Sequence, residues 1–137
     1  MKYELIDHTA DFGIRVFGRN LETLYENAAY ALFDLITDNR CLDRNDTLHL
    51  TIEGEDKIDL MFNWLRELLY LWNGREILVA ETSVHIVSET CFQADIRYDR
   101  YEKSRHEIRN EIKAVTYHQL DVKKKIKGWT GEIILDA

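Results

Sequence analysis

Phe12-Gly13-Ile14-Arg15-Val16-Phe17-Gly18 is followed, after Arg19-Asn20, by Leu21-Glu22-Thr23-Leu24-Tyr25-Glu26-Asn27-Ala28-Ala29-Tyr30-Ala31-Leu32-Phe33-Asp34-Leu35-Ile36. The first run alternates large apolar with small or charged residues, the period of a half-buried strand. In the second, Leu21, Leu24, Tyr25, Ala28, Ala29, Leu32, Leu35 and Ile36 recur at steps of three and four, so the period shifts to that of an amphipathic helix. Asn20 is placed to cap it. Glu22 and Glu26 fall in the first turns, where carboxylates favour the helix dipole. The helix is expected to end near Thr37-Asp38-Asn39.

Working outward, Lys2 to Ile6 reads as a short first strand, joined to the next by the polar turn Asp7-His8-Thr9-Ala10-Asp11. Leu48, Leu50 and Ile52 alternate with polar residues as a further strand closed by Gly54. A second helix is expected from Asp56 or Lys57 to Asn73-Gly74. Its polar stripe is narrow, so it should be nearly surrounded by protein. Strands are expected at Ile77 to Ala80, Val84 to Val87, Phe92 to Tyr98, Glu111 to Tyr117 and Thr130 to Leu135. Asp99 to Glu107 reads as a charged loop or short helical turn. The sum is an α+β chain of one domain, residues 1–137, with a mostly antiparallel sheet of about seven strands packed with two long helices.

The composition, 45% hydrophobic and 31% charged, is that of a soluble globular protein. The formal net charge of -7 repels polyphosphate, so stable direct nucleic-acid binding is not expected without a strong local basic patch. The dense basic run Lys123-Lys124-Lys125 with Lys127 reads as a solvated loop or, alternatively, as a contact for a phosphate-bearing partner. Cys41 and Cys91 stand apart, which argues against a zinc knuckle or disulfide scaffold and for reduced, partly buried thiols. Met1-Lys2-Tyr3-Glu4 is charged from the start, and no run of about 18 apolar residues occurs, so a cytoplasmic protein without a membrane anchor is expected.

Three clusters carry possible chemistry. Asp-His-Thr-Ala-Asp (7–11) puts two carboxylates and an imidazole into five residues; it is either an Asx-type turn or a set of oxygen ligands for a hard cation. In Glu111 to His118, period-two alternation separates Ile112, Ala114 and Thr116 from Lys113, Val115 and Tyr117. Lys113 either snorkels at a sheet edge or directs an ammonium at a phosphate or a partner's carboxylate. The apolar strand Ile133-Ile134-Leu135 stops at Asp136-Ala137. Those last two residues either fray in solvent or, with a terminal carboxylate, complete an oxygen site begun by Asp11. Signatures of known enzyme classes are missing: no Gly-rich phosphate loop, no Gly-x-Ser-x-Gly and no His-Glu-x-x-His. Trp64, Trp72 and Trp129 read as core or edge packing, not as base-stacking platforms.

Together these motifs resemble the archease family. The quoted points of likeness are His8-Thr9-Ala10-Asp11, the helix ending Ala31-Leu32-Phe33-Asp34, His106-Glu107 ahead of Lys113 to His118, Gly128-Trp129 before the last strand, and the penultimate Asp136. The resemblance spans the chain in order. It implies a cofactor, not itself an enzyme, of the RtcB-type RNA ligase, which joins RNA ends bearing a 2′,3′-cyclic phosphate or 3′-phosphate to a 5′-hydroxyl in tRNA splicing and RNA repair. It implies faster guanylylation of the ligase and multiple turnover. It also implies a divalent ion, calcium first and Mg²⁺ or Mn²⁺ next, held by Asp11, Asp136 and the last residue, Ala137. The family commonly ends in Ile or Val; a main-chain carboxylate at Ala137 would tolerate that departure. Lys113 matches a lysine associated with activation, and His8 and His118 are further candidates for ligase activation or partner contact. Two other functions compete. A chaperone or solubility factor for RNA-modifying enzymes needs an exposed apolar patch, and a metal-dependent phosphoesterase needs activity of its own.

Overall fold

Each expected helix begins where a side chain can accept the orphan amide protons of its first turn. In a computed structural model that describes residues 1–6 and 11–137, helix α1 spans Leu21–Ile36, and Asn20 Oδ1 accepts from the Thr23 amide at 2.8 Å. Helix α2 spans Lys57–Arg75, and Asp56 Oδ1 accepts from the Asp59 amide at 2.8 Å. Eight strands accompany them: β1 (Tyr3–Ile6), β2 (Phe12–Gly18), β3 (Asp46–Glu53), β4 (Ile77–Ser88), β5 (Cys91–Arg100), β6 (Ala114–Val115), β7 (Asp121–Lys125) and β8 (Gly128–Asp136). All pairings between them are antiparallel. They divide into a five-stranded sheet, ordered β1-β2-β8-β6 with β7 also on β8, and a three-stranded sheet ordered β3-β5-β4. This is the α+β architecture with two long helices that the periodicities predict.

Helix α1 packs against β2 of one sheet and β4 of the other, so it is α1, not α2, that protein nearly surrounds. Ala28, Ala29 and Ala31 let it sit close to both sheets, and Leu24, Tyr25, Leu32, Phe33 and Ile36 fill the space around it. Helix α2 keeps Arg66, Tyr70 and Asn73 in solvent. The helices are joined at a buried aromatic knot. Trp64 Nε1–H donates to the Tyr25 carbonyl at 2.9 Å, and Phe92 packs against both rings at 4.8 and 5.3 Å between centroids. The outer edge of β4 is closed by helix carboxylates: Glu26 accepts from the Val84 amide at 2.9 Å and Glu22 from the Ile86 amide at 3.2 Å. Among the described residues no helix is long and apolar enough to cross a membrane.

Several boundaries differ from expectation for local reasons. Helix α2 runs past Asn73-Gly74, because the left-handed residue that ends it is Glu76 (φ 55°) and not the glycine. A β-carbon at Gly74 would stand 2.7 Å from the Tyr70 ring, so that glycine makes room for an aromatic. The two strands expected between Ile77 and Val87 are one, β4. A bulge at Ala80 shifts its register, and the bulged carbonyl is satisfied by Asn39 Nδ2 at 3.1 Å. Lys123 to Lys125 lie on β7 and not in a loop. Their register with Gly128 to Thr130 makes a hairpin with the two-residue turn Ile126-Lys127. The expected strand Glu111 to Tyr117 shrinks to Ala114–Val115. Ala114 faces Asp136 while Asp121 faces Glu132, seven residues against four, so three residues of this edge loop outward between β6 and β7.

Candidate metal and partner site

The β2–β8 ladder decides where the two ends of the chain meet. Phe12 pairs with Leu135 and Gly13 with Ile134, so Asp11 and Asp136, the next residue along each chain, lie at the same end of this ladder. On the other side of β8, Ala114 pairs with Asp136, and the Lys113 amide donates to the Asp136 carbonyl at 2.7 Å. Lys113 and Ala114 thus both face Asp136, and Ala137 follows it directly. Asp11, Lys113, Asp136 and Ala137 therefore gather at one end of the five-stranded sheet. Asp11 is half-buried and the other three are exposed. His8, with Asp7, Thr9 and Ala10, lies outside the described residues.

His118 is not part of this group. It sits exposed in the loop between β6 and β7, roughly 7–13 Å along β8 from Asp136 at the usual strand rise. Its neighbour Tyr117 holds that loop against α2. The Tyr117 ring stacks on Phe62 at 3.8 Å, and its hydroxyl donates to Asp59 Oδ1 at 2.8 Å. The Glu55 amide and then the Tyr117 hydroxyl hold the Asp59 carboxyl below its ordinary range.

Lys113 has little regular structure on its N-terminal side, yet its backbone is tied at nearly every residue. Thr37 Oγ1 donates to the Glu107 carbonyl at 2.7 Å, the Arg109 amide to the Ile36 carbonyl at 2.7 Å, and Asn110 Nδ2 to the Leu35 carbonyl at 2.6 Å. Asn73 Nδ2 then donates to the Ile112 carbonyl at 3.0 Å. Both helix ends thus hold the segment that delivers Lys113. Upstream, the same segment is anchored by a buried charge cluster that reading the sequence misses. Asp99 lies on β5 and is only 7% exposed, although the sequence reads it as loop. It accepts from Arg105 Nη1 and Nη2 at 3.1 and 3.0 Å, from the Asp43 amide at 3.1 Å and from His106 Nε2 at 2.8 Å. The Glu102 amide donates to His106 Nδ1 at 2.9 Å, which leaves the ring proton on Nε2 and makes His106 the donor toward Asp99. Burial alone would raise the Asp99 carboxyl. The hydrogen bonds from Arg105, Asp43 and His106 outweigh it and hold the group down at about 2. His106 therefore acts in the frame behind Lys113; the family likeness marks His106-Glu107 in the sequence, but nothing local marks Asp99 as its partner.

The donors at the sheet end, two aspartate side chains and the main-chain oxygen of Ala137, offer oxygen only, the chemistry a hard cation takes. Among the described residues, no three His, Cys, Asp or Glu side chains gather at metal-ligand spacing. Cys41 is exposed, contrary to the expected burial, and Cys91 is half-buried; both are free thiols far apart in the chain.

Known proteins resemble this chain over nearly its full length. Residues 3–137 match the model of the Archease protein family (MTH1598/TM1083). The protein archease of Methanosarcina barkeri is 33% identical over 139 residues, covering 98% of this chain and 95% of that one. Protein 1598 of Methanobacterium thermoautotrophicum, solved in solution, superposes with a TM-score of 0.84 at 27% identity over 99% of both chains. The crystal structure of a Thermotoga maritima protein described as an archease and possible chaperone shares the fold, with a TM-score of 0.69 at 21% identity over 98% of this chain and 96% of that one. With the family model matched from residue 3 to residue 137 and relatives above 30% identity along nearly the whole sequence, the chain belongs to the archease family.

Proposed function

We propose that this chain is a non-enzymatic activator of an RtcB-type RNA ligase, promoting the guanylylation and multiple turnover of that enzyme in tRNA splicing and RNA repair in the cytoplasm. The observation that carries the reading is the pair of registers flanking β8, which bring Asp11, Lys113, Asp136 and Ala137 to one end of a rigid sheet. Asp11, Asp136 and the main-chain oxygen of Ala137 would hold a divalent cation, calcium in the first instance. Calcium takes about six to eight oxygens, so these donors leave positions for water or for groups of a partner. A cation bound there supplies positive charge that offsets the charge of a nucleotide's phosphates. Lys113 contributes a directed ammonium beside the carboxylates, suited to a phosphate or a partner's carboxylate. His8 and the exposed His118 are partner contacts in this scheme.

A chaperone would instead present a contiguous apolar surface. Among the described residues the exposed large apolar side chains are spread over the first residue (Met1), β1 (Leu5), α2 (Tyr70), β4 (Ile86 and Val87), the β6–β7 loop (Tyr117) and the β7–β8 turn (Ile126). That distribution favours the activator.

The test is a time course of guanylylation of a cognate ligase with and without this protein, in the presence of GTP and a divalent ion. The expected result is acceleration by about tenfold or more, equivalent to about 1.4 kcal/mol or more off the barrier. Equal rates with and without the protein would sink the reading.

A further inference from the structure

The end of the β2–β8 ladder opposite Asp11 and Asp136 has the reverse chemistry. There Gly18 pairs with Trp129, and an open groove of about 590 Å³ lies beside the two strand ends. Lys2, Arg19, Lys125 and Lys127 line it together with Phe17 and Trp129, and among the described residues no Asp or Glu lines it. In a chain of 25 acidic and 18 basic residues, four cations with no carboxylate among them reverse the sign of the molecule locally. All four are exposed, and Phe17 and Trp129, both half-buried, line the groove from the two strand ends. Lys57 Nζ stands 5.9 Å from the Trp129 ring centroid and adds a fifth cation at the margin.

The backbone builds this groove deliberately. Gly128 has φ 145°, and a β-carbon there would stand 2.4 Å from the Gly18 carbonyl oxygen. The hairpin therefore crosses the end of β2 at backbone contact, which sets Trp129 and the β7 lysines beside Arg19 and Phe17.

We propose that this groove binds single-stranded RNA, with bases against Trp129 and Phe17 and phosphates on Lys125, Lys127, Arg19 and Lys2. Stacking on an aromatic ring stabilises a bound base by about 1–3 kcal/mol and is tolerant of sequence, while the lysines and arginine track the backbone. An acidic protein surface would pair with the cations but leave the two rings without partners. This is the local basic patch that an acidic chain needs before it can touch a polyanion. The overall charge keeps the affinity modest. The groove lies at the other end of the sheet from the carboxylates, so the inference stands or falls apart from the ligase reading.

The test is fluorescence anisotropy of a short 5′-labelled oligouridylate titrated with the full chain at about 50 mM salt. The expected dissociation constant is on the order of 10–100 μM, within the range of sequence-independent binding. With four phosphate contacts, its logarithm should change with that of salt by a slope of about 3. The double substitution K125Q/K127Q, at two exposed positions that leave the fold intact, should weaken binding by about tenfold or more, and Arg19→Gln should weaken it as well. Absent binding at about 50 mM salt, or binding indifferent to both variants, would overturn the proposal. So would equal competition by a polyglutamate peptide of matched charge, which would give the groove to an acidic protein surface.

Discussion

Asp11→Ala is expected to abolish stimulation of the ligase while leaving the protein folded. Asp11 stands at the mouth of β2, half-buried, one residue before the first pair of the β2–β8 ladder. It lies outside the apolar core, so the thermal midpoint should fall by what corresponds to about 1 kcal/mol, the size of an ordinary substitution away from the core. For the proposed cation, by contrast, the substitution removes one of the carboxylates that would hold it. Changes in the outer shell of a metal site typically cost about 10–100-fold in affinity, and loss of a ligand should cost at least that much. Asp136→Asn should behave in the same way, because the neighbouring backbone bond from the Lys113 amide uses the Asp136 carbonyl and not its side chain. The check is the guanylylation time course run with each variant, alongside thermal unfolding. Full stimulation by the folded Asp11→Ala protein would separate activation from the carboxylates altogether.

Asp99→Ala is expected to be the most destabilising of the polar substitutions. The carboxylate is buried and accepts four hydrogen bonds, so its removal strands Arg105, His106 and the Asp43 amide together. Breaking a buried pair in this way costs about 3–5 kcal/mol, and Arg105, at 37% side-chain exposure, places the expectation near about 3. The effect should reach function as well, because residues 107 to 112 carry the frame from His106 to Lys113. The pH dependence has a definite sign. The Asp99 carboxyl is held at about 2 in the folded protein, below its unfolded value. Its stabilisation is therefore fully present above about pH 4 and is lost as pH falls through about 2, amounting to about 2 kcal/mol. Urea unfolding of the parent chain should show that loss between about pH 4 and about pH 2, and Asp99→Asn should show a shallower dependence over the same range.

What the sequence makes legible follows from what each signal measures. The change of period at Asn20, and the caps Asn20 and Asp56, are local properties, and both helices start where these residues put them. The pairing of β2 with β8 is not local. It follows from the resemblance of both chain ends to one family pattern, since periodicity cannot say which strands meet. The lysine run misleads because a charge cluster reads as solvated loop, whereas β7 is an edge strand whose lysines remain in water while its backbone pairs with β8. The Asp99 cluster is illegible for the opposite reason. Arg105 and His106 sit in a stretch of charged residues, and only the tertiary fold folds that stretch back over Asp99 and away from solvent. Tyr117 is read as a strand residue, but three looped-out residues free it to stack on Phe62, and that long-range contact leaves no trace in the period.

The central claim is that the two chain ends form one cation site. It is tested most directly by adding substoichiometric Mn²⁺ to isotope-labelled protein and following amide signals by NMR, since the paramagnetic ion broadens the nuclei closest to it. The amides of Asp11, Phe12, Lys113, Leu135 and Asp136 should broaden together and recover on addition of excess calcium. Broadening centred on the β3-β5-β4 sheet, or confined to one chain end, would contradict the account.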